Sequence, residues 1–305
     1  MTRPALTARP RWIWAVWVTA ALSTLPLIDG PVYGVLVPVS ALAVATIPGA
    51  LPARSRRSDR GDLLAIAALY IAVIALLRLA FVGFSTDNVV GLFLAFAAAL
   101  LVGVAGPVVY TVWGRGRSLA DIGLRTDNWR PAAGLALLFA AVQFALTLWG
   151  YDLPAPVDWV PLLVMALVVG VFESIFFRGF VQTRLEDQFG PVAGVAAAAA
   201  LYGLYHVGYG MGAGEIVFLF GLGVVYGAAF ALARNVLVLW PLLTPLGSFF
   251  ANLEADDIEL PWASIAGFAD VLAVMLAVLW LAHRHERRRT KARSGPPQQA
   301  TAKVP

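Results

Sequence analysis

Three ionisable side chains stand in apolar surroundings. Glu173 and Arg178 lie within Val171-Phe172-Glu173-Ser174-Ile175-Phe176-Phe177-Arg178-Gly179-Phe180, and His206 closes Leu201-Tyr202-Gly203-Leu204-Tyr205-His206. Ionisable groups at membrane depth are expensive and persist where they line a cavity, pair or do chemistry. A carboxylate beside a bound water can take its proton and direct the oxygen at a carbonyl. A neutral imidazole is a common zinc ligand. Acid and imidazole together point to hydrolysis, with Glu173 as general base and His206 as ligand. A catalytic zinc takes about three protein ligands, so these two make a partial constellation. Arg178 follows Glu173 by five residues, and a regular helix sets it about 140° around from the glutamate. Its plain structural role is to snorkel or to tie down helix ends by hydrogen bonds.

The elements that must position these groups are membrane helices. The 305-residue chain is 60% hydrophobic and 13% charged, with a mean hydropathy of +0.79. That is about half the roughly 25% charge of a soluble domain, so the chain reads as a polytopic membrane protein. Apolar runs of about 17–25 residues are candidate spans. Ten are predicted: 12–29, 31–51, 63–84, 89–112, 131–150, 159–180, 191–209, 215–233, 236–253 and 262–282. The first follows Arg3, Arg9 and Arg11 without an evident cleavage site, so it reads as an uncleaved span and not a signal peptide.

Charge placement orients the bundle. Arg54, Arg56, Arg57 and Arg60 fill the second connection; Arg115, Arg117, Arg125 and Arg130 the fourth; Arg184 the sixth; Arg234 the eighth. The odd connections carry no Lys or Arg, and acids lie at Asp29, Asp87, Asp152, Asp158 and the Glu254/Asp256/Asp257/Glu259 cluster. By the positive-inside rule both termini are cytoplasmic. The net charge of +4 and pI of 9.6 are thereby explained without a nucleic-acid partner. The Ala, Gly, Pro and Arg enrichment suggests a bacterial source and hence the plasma membrane.

Spans six and seven form a hairpin with its turn at Phe189-Gly190-Pro191. Glu173 lies about as far before that turn as His206 lies after it, so regular helices place both at similar depth. Short connections favour antiparallel neighbours, so the two side chains are expected to converge. A similar count from Arg234-Asn235 brings Ser248 and Asn252 to about that depth.

Other chemistries lack their residues. With no cysteine there is no disulfide, thiolate nucleophile or Cys-based zinc site. No Walker loop, dinucleotide glycine fingerprint, Gly-x-Ser-x-Gly or His-Glu-x-x-His occurs. His283 and His285 sit in the basic exit of the last span and read as interface residues.

The segment Glu173-Ser-Ile-Phe-Phe-Arg178-Gly179 resembles the first motif, E-E-x-x-x-R, of the CAAX protease and bacteriocin-processing (CPBP, or Abi) family. Tyr202-x-x-x-His206 resembles its second motif, aromatic-x-x-x-His. Ser118 to Arg125 with Trp129-Arg130 resembles the family's lead-in, and Leu239-Trp240-Pro241 the entry to its last motif. The resemblance covers about residues 115–253 and reaches at most to 282. It implies an all-helical intramembrane endopeptidase, metal-dependent, acting on prenylated C-terminal peptides or other membrane-associated peptides. Glu173 would then activate water, His206 would bind metal or steady the oxyanion, and Arg178 and Asn252 would complete the set. Zinc is the implied metal, with His206 and Glu173 as its ligands.

Two positions depart from the family pattern. Ser174 replaces the second acid, and no histidine lies between Trp240 and Asn252. Ser248 falls at the histidine position when Asn252 is placed on the family's Asn, whereas an ungapped count from Trp240 puts Leu246 there; Ser and Asn are poor substitutes for an imidazole ligand. The alternative is therefore a catalytically inactive member that scaffolds a partner or binds a peptide or lipid-modified tail. A proton-relay transporter would want broken helices or inverted repeats, and neither is evident. The expected organisation is an all-α bundle: a four-span region at 1–113, a cytoplasmic linker at 114–130, a CPBP-like core at 131–283 and a disordered basic tail at 284–305. Membrane lipid is the constant partner.

Overall fold

A computed structural model describes residues 11–47, 58–85, 89–153, 155–254 and 263–293. Every regular element among them is helical. Ten rods follow in chain order: α1 (Arg11–Thr24), α2 (Gly30–Ala45), α3 (Arg60–Arg78), α4 (Val89–Gly114), α5 (Trp129–Thr147), α6 (Pro156–Glu173, continuing to Phe189), α7 (Pro191–Tyr205), α8 (Ala213–Ala233), α9 (Leu243–Glu254) and α10 (Ala263–Arg293).

Seven of the rods are long and apolar enough to cross a membrane: α3 with its extension to Phe84, α4, α5, α6, α7, α8 and α10. The rods α1 and α2 are shorter apolar helices. The run 236–253 is interrupted: a 3-10 turn at Val236–Val238 precedes the 12-residue α9. The outward faces carry large apolar groups, among them Leu64, Ile71, Leu137 and Trp280, as they do where lipid is the solvent.

Local chemistry sets the helix starts. Asp59 caps α3 by accepting the Asp62 amide, while the Asp62 side chain accepts the Asp59 amide, so two orphan donors are satisfied reciprocally. Gly190 ends α6 at φ 84°, and Pro191 opens α7, where its missing N–H costs nothing. The C-terminal helix runs on through the basic segment expected as tail, as far as Arg293. Its Glu286 Oε1 accepts the Leu119 amide at 2.6 Å. That contact ties α10 to the 3-10 turn Leu119–Ile122 in the α4–α5 connection.

Close approach holds the rods together. The rods α2 and α8 cross at Gly34 and Gly221, where a Cβ on Gly221 would lie 2.7 Å from the Gly34 Cα. Small residues at such crossings let helix backbones approach in lipid. The first two rods therefore pack directly on the C-terminal half. Farther along, α3 is anchored by a buried ion cluster. Asp62, fully buried, accepts Arg117 in a two-point bond at 3.2 and 3.0 Å and the Tyr110 hydroxyl at 3.1 Å, and Arg115 and Arg184 each lie 3.6 Å away.

Candidate active site

The site is built on α6 and α7, packed antiparallel across the Gly190-Pro191 turn. Past Glu173, α6 widens into π turns over Ser174–Gln182 before resuming at Thr183–Phe189. The hydroxyl of Thr183 donates to the Gly179 carbonyl at 2.6 Å, and Arg184 Nη1 donates to the Phe180 carbonyl at 3.1 Å. Side chains inserted into the helical ladder in this way accompany local irregularity. A π turn closes over i→i+5, so a residue five positions on returns toward its starting face. The 140° offset expected for Arg178 assumes regular turns and does not apply here.

Glu173 and His206 meet. His206 Nε2 lies 4.0 Å from Glu173 Oε1, and both side chains are more than nine-tenths buried. Counting from the turn brings the two to similar depth, and the wider turns of Ser174–Gln182 do not carry them apart. The glutamate receives two hydroxyls: Tyr205 donates to Oε1 at 2.5 Å and Tyr202 to Oε2 at 3.2 Å. The His206 ring is fixed from behind, with Nδ1 2.9 Å from the Tyr202 carbonyl. A carbonyl only accepts, so Nδ1 carries the proton and Nε2 is left as an acceptor. Two acceptors, Nε2 and Oε1, thus face each other.

Aromatic rings wall the pair. Tyr205 lies 4.0 Å from the His206 ring and 4.7 Å from Phe177, centroid to centroid. Tyr202 also floors Arg178, whose guanidinium sits 4.8 Å from the ring centroid, in cation–π range. Arg178 is 1% exposed, and its Nη1 and Nη2 have no hydrogen-bond partner among the described residues. Beside it, Gly179 permits contact with the Leu119–Ile122 turn: a Cβ there would lie 2.2 Å from the Ile122 carbonyl oxygen.

The residue that meets Ser174 from the last-motif region is Thr244, with the two hydroxyl oxygens 3.3 Å apart. Thr244 is nearly fully buried, and Ser248, one turn on, is half-buried. The backbone of Asn252 lies in α9, but its side chain falls outside the described residues. Residue counting named Glu173, Arg178 and His206 and missed the two glutamate donors. The available signal was the spacing of Tyr202, four residues before His206 and hence on its face.

The donor set does not match a catalytic zinc. No group of three His, Cys, Asp or Glu side chains able to hold a metal occurs among the described residues. Glu173 and His206 supply two donors, and a catalytic zinc takes three from the protein. The nearest replacement on α9, Thr244, brings a hydroxyl and no imidazole.

Residues 154–242 match the family model described as Rce1-like, type II CAAX prenyl endopeptidase Rce1-like. The matched segment contains Glu173, Arg178 and His206 and ends before Thr244 and Asn252. No curated protein and no solved structure matches the chain. The family match and the apolar helices together make this an integral membrane protein.

Proposed function

We propose, from a chain whose residues 154–242 are those of an Rce1-like segment, that the Glu173–His206 pair hydrolyses a peptide bond in a membrane-associated substrate. The observation that carries this reading is the facing pair of acceptors, Nε2 and Oε1, 4.0 Å apart. A molecule between them must offer two protons, and water does. Glu173 accepts one proton as the water oxygen attacks the scissile carbonyl, and His206 Nε2 accepts a hydrogen bond from the other. The Tyr205 and Tyr202 hydroxyls hold the carboxylate in place. The tetrahedral oxyanion takes its stabilisation from a nearby cation or hydroxyl, and Arg178 is the buried cation with unengaged N–H groups. When the C–N bond breaks, Glu173 returns its proton to the leaving amine, so the carboxylate is restored.

The family match and the burial of the pair support a prenylated or otherwise lipid-modified C-terminal peptide, presented from the bilayer, as the substrate class. The arginine-rich connections support a site in a bacterial plasma membrane with cytoplasmic termini. No step is routed through a metal, because the donors present fall one short.

The test is hydrolysis of a prenylated Cys-aliphatic-aliphatic-X peptide by the purified protein in liposomes. Glu173→Gln keeps the shape but turns one acceptor oxygen into an amide donor and loses the base, and should lower kcat by at least about a hundredfold. Unchanged turnover in that variant, or none in the unsubstituted protein with a panel of prenylated and acylated peptides, would sink the reading. The second outcome would leave a scaffold.

A further inference from the structure

Glu173 is one end of a buried polar stripe that the hydrolytic reading leaves unused beyond Arg178. The stripe continues through Gln182 and Glu186, at steps of five, four and four residues. These residues are 6%, 1%, 0% and 3% exposed. On a regular α-helix the thirteen residues from 173 to 186 would carry the last group about 220° around from the first. The wider turns of Ser174–Gln182 undo that drift, and contacts with α7 and α8 fix the common face. Tyr202 bridges the first step, with its hydroxyl on Glu173 and its ring under Arg178. Arg178 and Gln182 converge on Gly227 of α8, where a Cβ would lie 3.1 Å from Gln182 Oε1 and 3.6 Å from Arg178 Nη1. Gln182 Nε2 donates to the Gly227 carbonyl at 3.0 Å and to Glu186 Oε1 at 2.8 Å. Glu186 Oε2 pairs with Arg234, which follows α8 and is 18% exposed.

The stripe is incompletely paired within the protein. Arg178 Nη1 and Nη2, Gln182 Oε1 and Arg234 Nη2 are buried without a hydrogen-bond partner among the described residues. Left dry, each such group bears its full desolvation penalty with nothing to offset it. Donors and an acceptor lie along one face, and what satisfies both is a small molecule that donates and accepts. Buried waters do this, typically with about three hydrogen bonds each. Neither a peptide nor an acyl chain fits between Gly227 and groups this close.

We propose that the stripe is a water-bearing path from the Arg234 end of α6 to Glu173, held by Arg178 and Gln182. Delivery of the attacking water rests on the hydrolytic reading above; the presence of water at Gln182 does not. The arrangement lets a site walled by Phe177, Tyr202 and Tyr205 receive water through the protein.

The chain has no cysteine, so a single introduced thiol reports alone. The full-length protein in liposomes would be exposed to silver ion, a thiol reagent of about water's size. Remaining thiols would then be counted with a maleimide dye after unfolding. Gln182→Cys should react at least about tenfold faster than Val181→Cys, its equally buried neighbour on another face. Equal rates overturn the proposal. Should Gln182→Cys fail to fold, radiolytic labelling of the unsubstituted protein in ¹⁸O-water gives the same answer. Tyr202 gains oxygen-18 if water lies beside Arg178, whereas buried Tyr33, whose hydroxyl donates to the Ala21 carbonyl, stays unlabelled. An unlabelled Tyr202 overturns it. A reactive thiol in the Gln182→Cys variant, with no peptide cleaved by the unsubstituted protein, would refute the peptidase reading and keep the water path.

Discussion

Two buried carboxylates, Asp62 and Glu173, solve opposite problems. Asp62 is saturated: Arg117, Tyr110, Arg115 and Arg184 converge on it from the α4–α5 connection, α4 and α6. Glu173 takes two tyrosine hydroxyls and turns its remaining reach toward an imidazole that also accepts. The nearby guanidinium of Arg178 has unspent N–H groups. A fully paired charge ties elements together and has nothing left for a ligand. An underpaired one, held rigidly by aromatic rings, has a bond to offer. On the hydrolytic proposal the contrast separates an anchoring acid from a reacting one more sharply than burial does, since both groups are buried.

The comparison breaks first on stability. Asp62→Ala leaves three arginines without their shared partner, and removing one member of a buried ion cluster costs about 3–5 kcal/mol. Thermal unfolding in detergent should show that loss, while Glu173→Gln, which keeps its size, should stay within about 1 kcal/mol of the unsubstituted protein. Equal destabilisation would make Glu173 another anchor. Next in size is Gly179→Ala. The added methyl meets the Ile122 carbonyl and should cost about 1–3 kcal/mol of overpacking in the same assay. Tyr205→Phe removes one donor from Glu173 and sharpens the chemical half of the contrast. We expect kcat to fall about tenfold, or about 1.4 kcal/mol, with the unfolding temperature little changed.

The smallest effect is expected with acid. The Arg115 side-chain bond to Asp59, followed by the Asp62 amide, holds the Asp59 carboxyl below its ordinary value. A lowered folded value means that its stabilisation is present above the unfolded pKa of about 3.9 and is lost as pH falls below it. Unfolding followed from pH 6 to 3 should therefore show the cap weakening only at the acid end. Weakening already near pH 6 would contradict that pairing.

Much of the bundle was legible from composition, because lipid demands long apolar helices and excludes exposed polar backbone. Glu173 and His206 were legible from counting, since their turn is marked by Gly190 and Pro191 and the wider turns of α6 do not part them. The short α9 was less so: 236–253 is apolar enough to read as one span, yet a 3-10 turn and the Pro241 segment divide it. Helix through 284–293 was hidden too, because a run of arginines reads as disordered until Glu286 is seen holding the Leu119 amide.

Sequence alone put an acid and an imidazole at similar depth on adjacent helices, because nearly equal counts from a marked turn set depth approximately whatever the helix rotation. Tertiary structure decided that Tyr202 and Tyr205 hold the acid, that Thr244 meets Ser174, and that Arg178, Gln182 and Glu186 share a face. Those outcomes depend on helix rotation, and widened turns in α6 shift that rotation by more than any local count can follow.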